Sequence, residues 1–268
     1  MRTQASNSIY DSSTTRNMLF KLMNAVIEAC AENNGEGGRE YYIFDQDALE
    51  RVKVGNFKIK TVQGKEEEVD LYLEPLSKGN GALASTYTKE ENNGKMAVVM
   101  RLKDDWSMGE FMDAFSDQDF FSKMFSNLAH EITHAREAEA KPQAYSQEED
   151  KRLHDLKKTD IDKYHKEYSN SEVEFESLVT TMISSMEGDL IGILVAGQRG
   201  SDKKLMEKIK SGELYKMVRD DLVRVMTKAS DKFGWPVEKR RAALQKAYSG
   251  AEKIIESVKE FIQTHMGD

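Results

Sequence analysis

Hydrophobic positions along the chain keep two different periods. Between Asn17 and Ala31 the apolar residues Met18, Leu19, Leu22, Met23, Val26 and Ile27 recur at helical spacing behind a Ser/Thr-rich stretch, which predicts a first amphipathic helix. A Gly/Asn break from Asn33 to Gly38 ends it. Short runs rich in β-formers follow at Tyr41 to Phe44, Val52 to Thr61, Val69 to Leu73 and Met96 to Leu102, separated by turn-like stretches such as VQGK, SKGNG and ENNGK. These runs predict a small sheet. From about Ser107 the period becomes helical, with almost no glycine or proline, and stays so to the C-terminus. The order of helix, strands, then helices fits an α+β fold better than alternating βαβ units. A break is expected at Gly188 to Lys203, and Phe233-Gly234-Trp235-Pro236 marks a turn before a long charged helix. We therefore divide the chain into an α+β body, residues 1–188, and a helical C-terminal subdomain, residues 189–268.

Charge narrows the choice of partner. Charged residues make up 32% of the 268 positions and the net charge is −8, so a phosphate backbone would be repelled on average. No Lys/Arg-rich stripe with interleaved aromatics argues otherwise, and nucleic acid is not an expected partner. The single cysteine, Cys30, has no partner for an internal disulfide and reads as a small buried hydrophobe on the first helix. The polar N-terminal stretch lacks the apolar core of a secretory signal, and the longest apolar run, Leu190 to Ala196, is too short to span a bilayer. A cytoplasmic protein with no membrane partner is the expectation. The run SQEEDKRLHDLKKTD reads as charge-rich helical surface.

One segment carries chemistry. In DQDFFSKMFSNLAHEITHAREAEA, Phe121, Met124, Phe125, Leu128 and Ile132 form an apolar stripe that would dock on the sheet. His130 and His134 lie one helical turn apart, so their imidazoles come to the same side and can share one metal ion. Glu131 is rotated about 100° from His130, where it can reach a water without ligating the metal, as a general base must. Two histidines leave zinc short of protein ligands, so a third must come from downstream. The HExxHxxGxxH form is excluded, since Glu137 and Ala140 occupy its glycine and third-histidine positions. A later helix, capped by Asn170 or Ser171 with Phe175, Val179, Met182, Ile183 and Met186 as its apolar stripe, offers Glu172, Glu174 and Glu176. Spacing alone leaves all three open. His154 and His165 are further candidates that more often sit on surfaces.

The HExxH segment with this second helix resembles the gluzincins, the thermolysin-like zincin peptidases. Their third ligand is the Glu of an E-x-x-small motif, which Glu174-Phe175-Glu176-Ser177 matches, so the resemblance implies His130, His134 and Glu174 on a single Zn²⁺. It covers about a fifth of the chain and implies a zincin-like fold. The family often places an Asp directly after the small residue to orient a ligand histidine; here that position is Leu178. Related enzymes use a Tyr or His to steady the developing oxyanion, a role open to Tyr164, Tyr168 and His165, of which Tyr168 is our choice. The implied activity is hydrolysis of a protein or peptide substrate, with Glu131 taking a proton from water and returning it to the leaving amine. The strand Met96 to Leu102 stands where zincins present an edge strand to the substrate, and its apolar run reads equally as an ordinary core strand. Trp106, Met108, Phe111, Met112 and Phe115 could line a pocket or be core. The competing reading is a non-enzymatic structural or interaction protein that retains a zincin-like fold. Two histidines and a glutamate would also accept Mn²⁺, Co²⁺ or Fe²⁺.

Overall fold

A computed structural model describes residues 11–32, 42–45, 49–79, 82–138, 140–141, 147–171, 174–196 and 200–265. The chain is a mixed α+β protein with one four-stranded sheet and a mainly helical second half.

Helix α1 (Ser12–Glu32) begins where Asp11 accepts a hydrogen bond from the Thr14 amide at 3.1 Å. Its stripe Met18, Leu19, Leu22, Val26 and Cys30 is wholly buried. Strands β1 (Val52–Lys60), β2 (Glu66–Pro75), β3 (Ala84–Tyr87) and β4 (Met96–Leu102) form a sheet in the order β1-β2-β4-β3. β1 runs antiparallel to β2, β2 parallel to β4, and β3 antiparallel to β4. Of the expected first strand, Tyr41 lies outside the described residues, and among residues 42–45 Tyr42 makes an isolated bridge to Ser107 and no strand is formed. β4, open in the sequence to a substrate-facing edge or a core strand, is an inner strand with every residue buried, which its apolar sequence on both faces explains. The end strand is β3, too short and too mixed in composition to have stood out in the sequence.

Helices α2 (Met108–Ser116) and α3 (Gln118–Glu137) follow. Phe111 and Phe115 of α2 are core, and Trp106 packs edge-on against Phe111 and Phe120. Helix α3 crosses the sheet face made by Val69, Leu71, Leu73, Met96, Val98 and Met100. Helices α4 (Gln147–Thr159) and α5 (Ile161–Ser169) form a charged hairpin, and α6 (Glu174–Val195) packs along α3 in the largest helix-helix contact of the chain.

Helix α6 does not break at Gly188. Small residues there let two helices approach: a Cβ on Gly188 would lie 2.9 Å from Ser122 Cα, and one on Gly192 would lie 3.3 Å from Gln118 Cγ. The other face of α6 packs on α9 (Val237–His265), where Ile183 fills the space above Gly250. Helices α7 (Ser201–Lys210), α8 (Glu213–Phe233) and α9 complete the fold. Gly234, at φ +62°, turns the chain between α8 and α9 at the expected place. By length and composition α6 could cross a membrane, but half of that apolar window is buried inside the protein, as in the core helix of a soluble fold.

Candidate metal centre

The antiparallel register of α3 and α6 builds the site. Gly192 lies on Gln118 and Gly188 on Ser122; further along, Thr181 meets His130 and Ser177 meets His134. Each step of about one turn up α6 is a step of one turn down α3. The first turn of α6 then delivers Glu174 to the same place. Its start is fixed by Ser171, whose hydroxyl accepts from the Glu174 amide at 3.0 Å, as a cap residue does.

His130, His134 and Glu174 each offer one ligand atom, all within 4.8 Å of one another. The Nε2 atoms of the two histidines are 2.9 Å apart, and the Glu174 carboxylate oxygens lie 3.6 Å from His130 Nε2 and 3.4 Å from His134 Nε2. Each imidazole is steered from behind by a hydroxyl. Thr181 Oγ1 lies 2.9 Å from His130 Nδ1 and donates its one proton to the Ser177 carbonyl at 2.8 Å. Toward His130 it must therefore accept, which puts the ring proton on Nδ1 and a lone pair on Nε2. Ser177 Oγ lies 3.1 Å from His134 Nδ1 and can accept in the same way.

The donor set fits a metal ion. Glu174 Oε2 is buried with no hydrogen-bond partner, 3.6 Å from His130 Nε2, while Oε1 of the same carboxylate lies 3.4 Å from His134 Nε2. Such an arrangement calls for a cation or shared protons at its centre. Burial lowers the His130 pKa to about 4 and drives that of His134 well below the usual value, with the charges of His130 and Lys141 adding to the latter, so both rings are held neutral, the form in which an imidazole could bind a metal. Burial lifts the Glu174 carboxyl to about 7, opposed by Tyr168 and assisted by the like charges of Glu131 and Glu137.

Glu131 stands beside the cluster, outside it. Its pKa is also raised to about 7 by burial, against the lowering influence of Thr86 and of Arg101. Thr86 was not singled out by the sequence. It lies opposite Val98 on β3, hence on the helix-facing side of the sheet, and its hydroxyl lies 2.7 Å from Glu131 Oε2 and 2.8 Å from the Glu131 carbonyl. Behind it, the buried guanidinium of Arg101 pairs with Glu74 at 2.8 Å and donates to Ser85 and Tyr87, which fixes the end strand.

The remaining candidates divide cleanly. Tyr168 faces the Glu174 carboxylate, and burial together with that charge holds its phenol far above its usual range. Tyr164 stacks on Tyr168 at 5.3 Å and is raised by burial and by Glu174. Glu176 points away and pairs with Lys246. His154 and His165 are exposed on α4 and α5. Glu172 lies outside the described residues. No protein-family model, no curated protein and no solved structure matches the chain, so the metal cluster rests on its own geometry.

Proposed function

We propose that the protein is a zinc-dependent metallopeptidase of gluzincin type, with the ion held by His130, His134 and Glu174 and with Glu131 as general base. The observation that carries this reading is the convergence of two neutral imidazoles and a partnerless carboxylate oxygen beside a second, separately held carboxylate. Zinc bound there would supply Lewis acidity to a substrate carbonyl and to the attacking water.

The other steps belong to side chains. Glu131, with a carboxyl near pH 7, takes the proton of the attacking water and passes it to the leaving amine. Thr86 holds that carboxylate at one angle from the sheet edge. Tyr168 keeps its proton and donates to the carbonyl oxygen as negative charge develops there. An extended peptide would pair with the free side of β3 (Ala84–Tyr87), the end strand nearest the cluster.

Burial of Glu131 favours an enzyme over an interaction protein that merely keeps the fold. Raising a carboxyl from 4.5 to about 7 costs on the order of 3 kcal/mol, and a purely structural ion needs no such neighbour. The test is elemental analysis of the zinc-equilibrated chain beside His130→Ala and Glu174→Ala, with cleavage of a mixed fluorogenic peptide pool as second readout. About one equivalent of zinc, lost in both variants, is expected. Glu131→Gln should keep zinc and lose cleavage. A wild-type chain that takes up no zinc, or a Glu131→Gln chain that cleaves like wild type, overturns the proposal.

A further inference from the structure

Helices α4 and α5 line an open cleft of about 560 Å³, formed by Lys151, Leu153, His154, Lys157, Tyr164 and Tyr168. That volume is within the usual range of ligand sites. Its position is set by Tyr168, which belongs both to the cleft wall and to the surroundings of Glu174. The cleft therefore opens beside the metal cluster.

The chemistry of the lining is one-sided. Lys151 and Lys157 carry ammonium groups, His154 and the two phenols add hydrogen-bond donors, and among the described residues no carboxylate lines the cleft. This departs from a chain whose net charge is −8. Nearby groups whose pairing is seen are engaged elsewhere. Arg152 and Lys163 are spent on Glu167, at 2.6 and 3.7 Å. Asp160 caps α5 by accepting from the Lys163 amide at 3.0 Å. Lys157 lies over the Tyr164 ring, 5.6 Å from its centroid, and neither Lys151 nor Lys157 has an acidic partner among the described residues. Two unneutralised cations over a floor of stacked tyrosines fit an anion on a short stem.

We propose that this cleft is a subsite for an acidic side chain, carboxylate or phosphoryl, of a polypeptide held across the His130, His134 and Glu174 cluster. The inference rests on the peptidase reading for the polypeptide but on the cleft alone for the charge. It makes the enzyme selective for substrates with an acidic residue near the scissile bond, where the chain as a whole would repel them.

The test is binding to the full chain carrying Glu131→Gln, which cannot turn over, in zinc-containing buffer. The probes are fluorescein-labelled Gly/Ala decapeptides with one central Glu, Gln, phosphoserine or Lys, followed by anisotropy. The Glu or phosphoserine peptide should bind at least about tenfold tighter than the Gln peptide. Which of the two binds tighter identifies the anion. Lys151→Gln with Lys157→Gln should erase the preference, and Lys151→Glu with Lys157→Glu should turn it toward the Lys peptide. Both lysines are exposed, and unchanged helical circular dichroism verifies folding of each variant. Equal binding of Glu and Gln peptides, no peptide binding, or a preference that survives the double substitution overturns the subsite. Acid-selective binding that depends on the lysines, in a chain whose wild type cleaves nothing, overturns the peptidase reading and leaves the subsite standing.

Discussion

The Ser177 hydroxyl lies 3.1 Å from His134 Nδ1, and one turn further along the same helix the Thr181 hydroxyl lies 2.9 Å from His130 Nδ1. Leu178 stands between them, at the position where the resemblance would place an orienting Asp. Two neutral hydroxyls from α6 thus do the orienting for both rings, without adding negative charge behind either. Groups of this kind contribute about 10- to 100-fold to metal affinity. Ser177→Ala and Thr181→Val are each expected to weaken zinc binding about tenfold, measured by competition with a chromophoric chelator. Unchanged affinity in both would mean that the imidazoles are held by packing alone.

Acid should weaken zinc binding along a slope set by Glu174. The His130 pKa is held down to about 4 and that of His134 is driven well below its usual value, so as the pH falls from 7 the Glu174 carboxyl takes up its proton before either ring does. The Glu174 carboxyl, lifted to about 7, is protonated below that pH in the free protein and must ionise to ligate. Each unit below pH 7 should therefore raise the apparent Kd about tenfold, and above pH 7 the curve should flatten. Calorimetry at pH 6 in buffers of different ionisation enthalpy counts the protons. In the Glu131→Gln chain about one proton per zinc is expected, from Glu174; in the wild type Glu131, also raised to about 7, adds its own release, so only two or more in Glu131→Gln would show that the histidines are charged.

The pattern of residues revealed the helix faces and the spacing of His130 and His134, because one turn of helix is a local rule. It narrowed the third ligand to three glutamates but could not choose among them on geometry. That choice depends on how α6 lies against α3, and the register is set by Gly188 and Gly192, which as isolated residues read as a helix break. Thr86 was invisible for a related reason. A four-residue end strand has too few positions for a period, and its contact with Glu131 spans 45 residues of sequence. Likewise β4 showed its strand character but not its place in the sheet, since order across a sheet is a property of pairing partners.

The two glycines give a direct check on that register. An alanine at 188 would put Cβ 2.9 Å from the Ser122 backbone, which cannot yield without moving α3 against α6. Gly188→Ala is expected to destabilise by about 1–2 kcal/mol, the overpacking cost less the helix-propensity gain. It should also weaken zinc binding, because the shift carries Ser177 and Thr181 off the histidines. Gly192→Ala meets mainly the flexible Gln118 side chain at 3.3 Å and should stay within about 1 kcal/mol of wild type. Urea unfolding in chelator gives the stabilities, and the opposite order of the two variants would refute the packing account.

Helix α6 is fastened at its first turn from the C-terminal side as well. The Trp235 indole N–H donates to the Ser169 carbonyl at 3.2 Å, and its ring meets Phe175 edge-on at 5.0 Å. Asn170 donates to the Phe233 carbonyl at 2.8 Å, and Glu176 pairs with Lys246 of α9. Glu174 lies between these anchors, so the helices after residue 200 take part in placing its carboxylate beside the two histidines. Trp235→Ala should cost about 3–5 kcal/mol through the cavity it leaves. Trp235→Phe keeps most of the packing and should cost about 1–2 kcal/mol, chiefly from the lost hydrogen bond and the Ser169 carbonyl left without its donor. The decisive readout is zinc affinity at a temperature where all three chains are folded. If Trp235 positions Glu174, affinity falls in the order wild type, Trp235→Phe, Trp235→Ala; if it only stabilises, the three affinities coincide while the unfolding midpoints differ.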